Sequence, residues 1–103
     1  MLFALVNSNK HFFPSQKELG GGSTLDLGVY VLQFTNFIFG PEAPQTIKAV
    51  GHLNQEGVDL NMAAVLSYSG NRTAVLSCST LSLQKNEAYV YGTKGYIKVR
   101  LIQ

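Results

Sequence analysis

Two side chains four residues apart, Asp26 and Tyr30, are the foremost candidates for chemistry in this sequence of 103 residues. On a helix, positions i and i+4 share a face, so carboxylate and phenol would meet there. Such a pair suits the oxidation of a sugar or diol, in which a hydroxyl proton leaves as hydride leaves the adjacent carbon. A phenol can take that proton, but an unperturbed phenol titrates near pH ~10 and needs a cation beside it to act as a base. A neighbouring carboxylate can hold the substrate hydroxyl in line. Both residues also fit ordinary structural parts, Asp26 as a helix cap and Tyr30 as a core tyrosine. Spacing alone leaves the two readings open.

Other reactive residue types carry weaker signals. Gly20-Gly21-Gly22-Ser23 is the strongest punctuation in the chain. Thr24 and Leu25 follow it where a Gly-x-Gly-x-x-Gly dinucleotide turn would continue, and no Walker-type lysine comes after. The run reads better as a helix entry at which another group approaches the backbone closely. Cys78 stands between two serines on a predicted strand and reads as a small buried hydrophobe. His11 and His52 are far apart without a ligand cluster, so no metal site is expected, and His52 reads as a structural or surface residue. Ser23 and Thr24 lack the Gly-x-Ser-x-Gly elbow of hydrolases.

The elements that must position these residues follow from hydrophobic periodicity. Ser23 is a natural N-cap, with Asp26 at capping-box spacing, and Gly40-Pro41 closes the pattern, predicting a helix over about residues 24–39. Its apolar residues cover nearly the whole circumference, which predicts burial on almost all sides. Asp26, Tyr30 and Gln33 form the single polar line. Beyond Pro44 the period changes to two. Strands are predicted over 46–53, 58–68 and 72–82, with a second hairpin over 87–91 and 96–102. Residues 1–19 read as mixed, with no strand clearly preceding the glycine run.

The layout is α+β: a buried helix near the amino terminus, packed on a predominantly antiparallel, open-faced sheet of about five strands over about 46–102. The second face of that sheet carries few charges and many small or aromatic residues, among them Val65, Val75 and Tyr89. It is either an ordinary exposed face or one that packs against another copy or domain.

Composition narrows the class. The chain is 46% hydrophobic and 14% charged, with a net charge of +2, so a folded domain is expected and a nucleic-acid or anionic-membrane partner is not. One cysteine excludes an intramolecular disulfide framework. The apolar Met1–Val6 stretch is too short for a signal peptide or membrane span, and the expected setting is reduced and cytoplasmic.

The string from Leu19 to Tyr30, Gly-Gly-Gly-Ser-Thr-Leu-Asp-Leu-Gly-Val-Tyr after the leucine, resembles the start of the second domain in the glucose–fructose oxidoreductase/inositol dehydrogenase/MocA family. Thr46–Gly51, Gly57-Val58-Asp59 and Gly92-Thr93-Lys94-Gly95 follow in matching order, so the likeness covers about residues 18–100. Tyr30 stands where many relatives carry His. Within the family the likeness points to members that oxidise trans-dihydrodiols or aldoses such as D-xylose with NADP. The resemblance implies that Tyr30 is the acid/base, that Asp26 is an active-site residue, and that the open sheet face forms a homodimer. The family's nucleotide-binding half and its Glu-Lys-Pro motif are not in these residues. Residues 1–103 are therefore expected to be one partial domain, the substrate and dimerisation part, which binds no dinucleotide alone. A non-catalytic dimerising module derived from the same family is the alternative expectation.

Overall fold

The computed structural model describes residues 3–9, 22, 28–81 and 85–100. Strand β1 (Phe3–Asn9) is followed by helix α1 (Val29–Phe39) and strands β2 (Thr46–Leu53), β3 (Asp59–Tyr68), β4 (Arg72–Ser79), β5 (Glu87–Tyr91) and β6 (Tyr96–Arg100). They form one sheet in the order β2-β3-β4-β1-β5-β6. The α+β architecture and the two hairpins agree with the sequence pattern. β3 returns as β4 through a turn at Ser69–Asn71, where Gly70 and Asn71 take φ of +72° and +60°. β5 returns as β6 with Tyr91 opposite Tyr96.

One strand is additional to the pattern. β1 lies in the middle of the sheet, parallel to β4 and antiparallel to β5, with Leu5 opposite both Val75 and Tyr89. A short continuous apolar run does not reveal its partner when that partner lies about seventy positions away. The stretch read as mixed thus contains a central strand, and a strand does precede the glycine run.

Alternation sorts the sheet into two faces. Ala64, Leu66 and Tyr68 of β3, Ala74 and Leu76 of β4, and Ala88 of β5 form a core with Val31 and Phe39 of the helix. α1 lies across β1 and β4. Its buried stripe is Val31, Thr35 and Phe39, and Thr35 satisfies its hydroxyl by donating to the Val31 carbonyl at 2.7 Å. Burial is one-sided, whereas the apolar circumference predicts burial almost all round. Val29, Leu32 and Phe37 are exposed, Phe37 by 81%. Among the described residues nothing packs on that outer side. Gly40 ends the helix while its N–H donates to the Asn36 carbonyl; its φ of +79° calls for glycine as expected, but with ψ −164° it is not the αL cap that its place after the helix implies.

A polar clasp ties the end of the helix to the β3–β4 turn. The Phe39 and Tyr68 rings stack with centroids 4.4 Å apart, and the Arg72 guanidinium lies within 6 Å of both. Arg72 donates to Glu42 at 2.7 Å and to the Ser69 carbonyl at 2.8 Å. Glu42 also accepts from the Ser69 hydroxyl and backbone N–H at 2.8 and 3.1 Å. These Ser69 bonds, with help from Arg72, hold the Glu42 carboxyl below its ordinary range, while burial pushes the Tyr68 phenol up. A depressed carboxyl stabilises the fold above the unfolded-state value, about 4.3, and loses that contribution as pH falls through its folded value. Glu42→Gln is therefore expected to lower the melting temperature slightly at neutral pH, with the deficit shrinking below about pH 4. Thermal melts of both proteins across that range check it, and a deficit undiminished in acid would assign the effect to shape alone.

Candidate active site

Tyr30 sits in the first turn of α1, on the side away from the core. Its ring is 57% exposed, while the next residue, Val31, is completely buried. Gln33, one turn on, is also exposed, and Phe37 continues the same side. The helix therefore separates a packing stripe from an outward line that begins with Tyr30. Among the described residues this geometry removes the core-tyrosine reading: Tyr30 stands on an exposed side of α1. Asp26, Ser23 and Thr24, and with them the predicted cap, lie outside the described residues. Gly28 has helical dihedrals, φ −60° and ψ −32°, so helical backbone is already established before Val29.

The glycine run reaches the described structure at Gly22, which is buried with φ +142°. A Cβ at this position would collide with the carboxylate oxygen of Asp59, and would lie 3.4 Å from Asp59 Cγ and 3.6 Å from Val58 Cγ1. Close approach of another group is thus the use made of glycine here, as the run's composition implies. The approaching group is an acid. A dinucleotide pyrophosphate calls for N–H donors and positive charge, so a carboxylate against Gly22 does not suit it. With the later fingerprint glycines also missing, these residues do not fit a nicotinamide dinucleotide.

Asp59, which the sequence marked only as part of the Gly57-Val58-Asp59 likeness and gave no role, opens β3 just after a tight loop. The Asn54 side chain accepts from the N–H groups of Glu56 and Val58 at 2.8 and 3.0 Å. The Asn54 N–H donates to the Val58 carbonyl, the Gly57 N–H donates to the Asn54 carbonyl, and Gly57 takes φ +83°. Asn54-Gln55-Glu56-Gly57 is recognisable turn chemistry, and it was the available signal.

The remaining candidates are quiet. His52 Nδ1 donates to Asn61 Oδ1 at 2.9 Å on an exposed part of the β2–β3 pair. Cys78 is fully buried in β4. Among the described residues no three His, Cys, Asp or Glu side chains gather as metal ligands, and no helix is long and apolar enough to cross a membrane.

Comparison with known proteins places this geometry. A trans-1,2-dihydrobenzene-1,2-diol dehydrogenase from Xenopus tropicalis is 45% identical over 84 residues, covering 82% of this chain and 26% of that protein. The Homo sapiens protein of the same name is 38% identical over 79 residues, 77% of this chain and 24% of its own length. The chain spans about a quarter of the length of these curated relatives. The crystal structure of an aldose-aldose oxidoreductase from Caulobacter crescentus superposes with a TM-score of 0.78 at 23% identity, over 95% of this chain and 32% of that one, which shows a shared fold. The sequence profile of the GFO/IDH/MocA C-terminal domain matches residues 5–98. With the sheet, the helix and the glycine-run contact in place, the chain belongs to the GFO/IDH/MocA C-terminal domain family.

Proposed function

We propose that this domain is the substrate-binding and dimerisation part of an NADP-dependent oxidoreductase acting on trans-dihydrodiols or on aldoses such as D-xylose. Tyr30 is the general acid/base that exchanges a proton with the substrate hydroxyl, and Asp26 orients that hydroxyl. The observation that carries this reading is the placement of Tyr30 at the outward start of α1, next to the fully buried Val31. The kinship with dihydrodiol dehydrogenases supports the substrate class. NADP is held by a different part of the enzyme, because the residues around Gly22 do not suit it. The exposed outer side of α1, from Tyr30 to Phe37, is where that part would complete the site.

The open sheet face supports the dimer. Val65 and Val75 lie side by side there in the strand register, flanked by Lys48, and Tyr89 and Lys98 continue the row beyond β1. Among the described residues no element covers this face.

A domain exchange tests the function. Residues 3–100 replace the corresponding segment of a trans-1,2-dihydrobenzene-1,2-diol dehydrogenase, whose own nucleotide-binding half is kept. The chimera is expected to oxidise trans-dihydrobenzenediol or D-xylose with NADP. A folded chimera that binds NADPH and turns over neither substrate overturns the proposal.

A further inference from the structure

We infer that Asp59 is a positioning residue: packed against Gly22, it fixes that glycine and thereby limits the start of the helix that carries Tyr30. Its consequence for turnover rests on the role proposed for Tyr30, but the anchoring itself does not. Gly22 is buried, its φ of +142° is one that side chains with L chirality rarely adopt, and the space for a Cβ is filled by the Asp59 carboxylate. Backbone conformation and space therefore demand glycine at the same point. Two independent constraints on one residue mark a junction held from both sides.

The backbone that carries this carboxylate is held from both sides. Asp59 opens β3 opposite Leu53, beside a register shift between His52 and Leu53. The preceding loop is closed by the four hydrogen bonds centred on Asn54. Val58, 4% exposed, seats that loop in the interior beneath Gly22. Five residues, 23–27, then join Gly22 to Gly28, where the backbone is helical, and Tyr30 follows two residues later. Fixing Gly22 limits where that short connection can deliver the helix start, and with it the phenol. An acid/base group needs placement within hydrogen-bond reach of its proton, so a small displacement of the helix start matters to it.

The test is amide hydrogen exchange and tyrosine ring NMR on this chain, with Asp59→Asn and Gly22→Ala. The first keeps the shape of the side chain and removes its charge; the second keeps the charge and removes the space. Both are expected to speed exchange at Gly22, Gly28 and the first turn of α1 at least tenfold, while the paired amides of β3 and β4 change less than twofold. Both should shift the Tyr30 ring signals and leave those of Tyr68 in place. In the chimera, Asp59→Asn should lower kcat about tenfold with NADPH affinity unchanged. Unaltered exchange and unaltered Tyr30 signals in both variants overturn the inference, as does a uniform loss of protection through the sheet in Asp59→Asn. If the exchange result holds while chimera turnover ignores Tyr30, the anchoring stands and the proposed function falls. If turnover depends on Tyr30 and the exchange pattern does not move, only the positioning role falls.

Discussion

Tyr30→Phe is expected to lower the kcat of the chimeric enzyme by about 10²–10⁴-fold, the usual worth of a positioned acid/base. In free energy this is about 3–5 kcal/mol of transition-state stabilisation. The substitution deletes one oxygen and keeps the ring. Because that ring is more than half exposed and the adjacent Val31 supplies the packing, folding stability should change little. NADPH affinity should be unaltered, since the proposed cofactor site belongs to the relative's nucleotide-binding half kept in the chimera. The expected signature is thus a fall in kcat without a matching rise in the dissociation constant of the cofactor. Stopped-flow turnover, fluorescence titration with NADPH and a thermal melt on the same preparation separate the three quantities. Near-parental turnover in Tyr30→Phe would make the phenol a surface residue, and the site assignment would fail while the family membership stood.

Much of this arrangement is legible in the sequence because local rules govern it. The strand at 46–53 is bounded by Pro44 and a turn, β3 alternates along its length, and Gly40-Pro41 stops the helix; each needs only neighbours in the chain. The close approach at Gly22 is legible too, since three consecutive glycines have few other uses. What approaches is not legible, because Asp59 opens a strand more than thirty residues away. Nor is the insertion of β1 between β4 and β5, a pairing of distant segments that periodicity does not encode. The one-sided burial of α1 has the same origin. An apolar circumference states that a helix is to be covered, and the described residues cover only the stripe through Val31, Thr35 and Phe39.

Those exposed surfaces sort themselves by chemistry. The outer side of α1 mixes Tyr30 and Gln33 with Leu32 and Phe37, a polar line within apolar surroundings that suits a substrate cleft shared with a second domain. The open sheet face is different. Tyr89, Tyr91 and Tyr96 stand in a ladder with neighbouring centroids 5.7 Å apart. Glu87, 7% exposed, accepts from the Tyr89 hydroxyl at 3.1 Å and pairs with Lys98 at 3.6 Å. These polar groups pair with one another within the chain, which fits the proposed contact with a second copy.

If the proposed dimer forms through this face, Val65→Lys is expected to convert it into monomers. Val65 is 45% exposed in the single chain and lies opposite Val75 on β4 and Lys48 on β2. A two-fold contact through this face presents the same patch from each protomer, so one substitution places two ammonium groups in the interface. Each would be desolvated without an acidic partner, and Lys48, already in the same row, adds like charge. An uncompensated buried charge costs about 3–5 kcal/mol, so the dissociation constant should rise by roughly 10²–10⁴-fold. On the open face of a single chain, where Val65 is 45% exposed, a lysine carries no such penalty, so the monomer should keep its fold and melting temperature within a narrow margin. Gln55→Lys, in the exposed loop between β2 and β3, serves as the matched charge control and should leave association unchanged. Sedimentation equilibrium over a range of concentrations decides the matter. Dimers that persist in Val65→Lys at micromolar protein, or an unsubstituted chain that sediments as a monomer at high concentration, would place the partner on another surface.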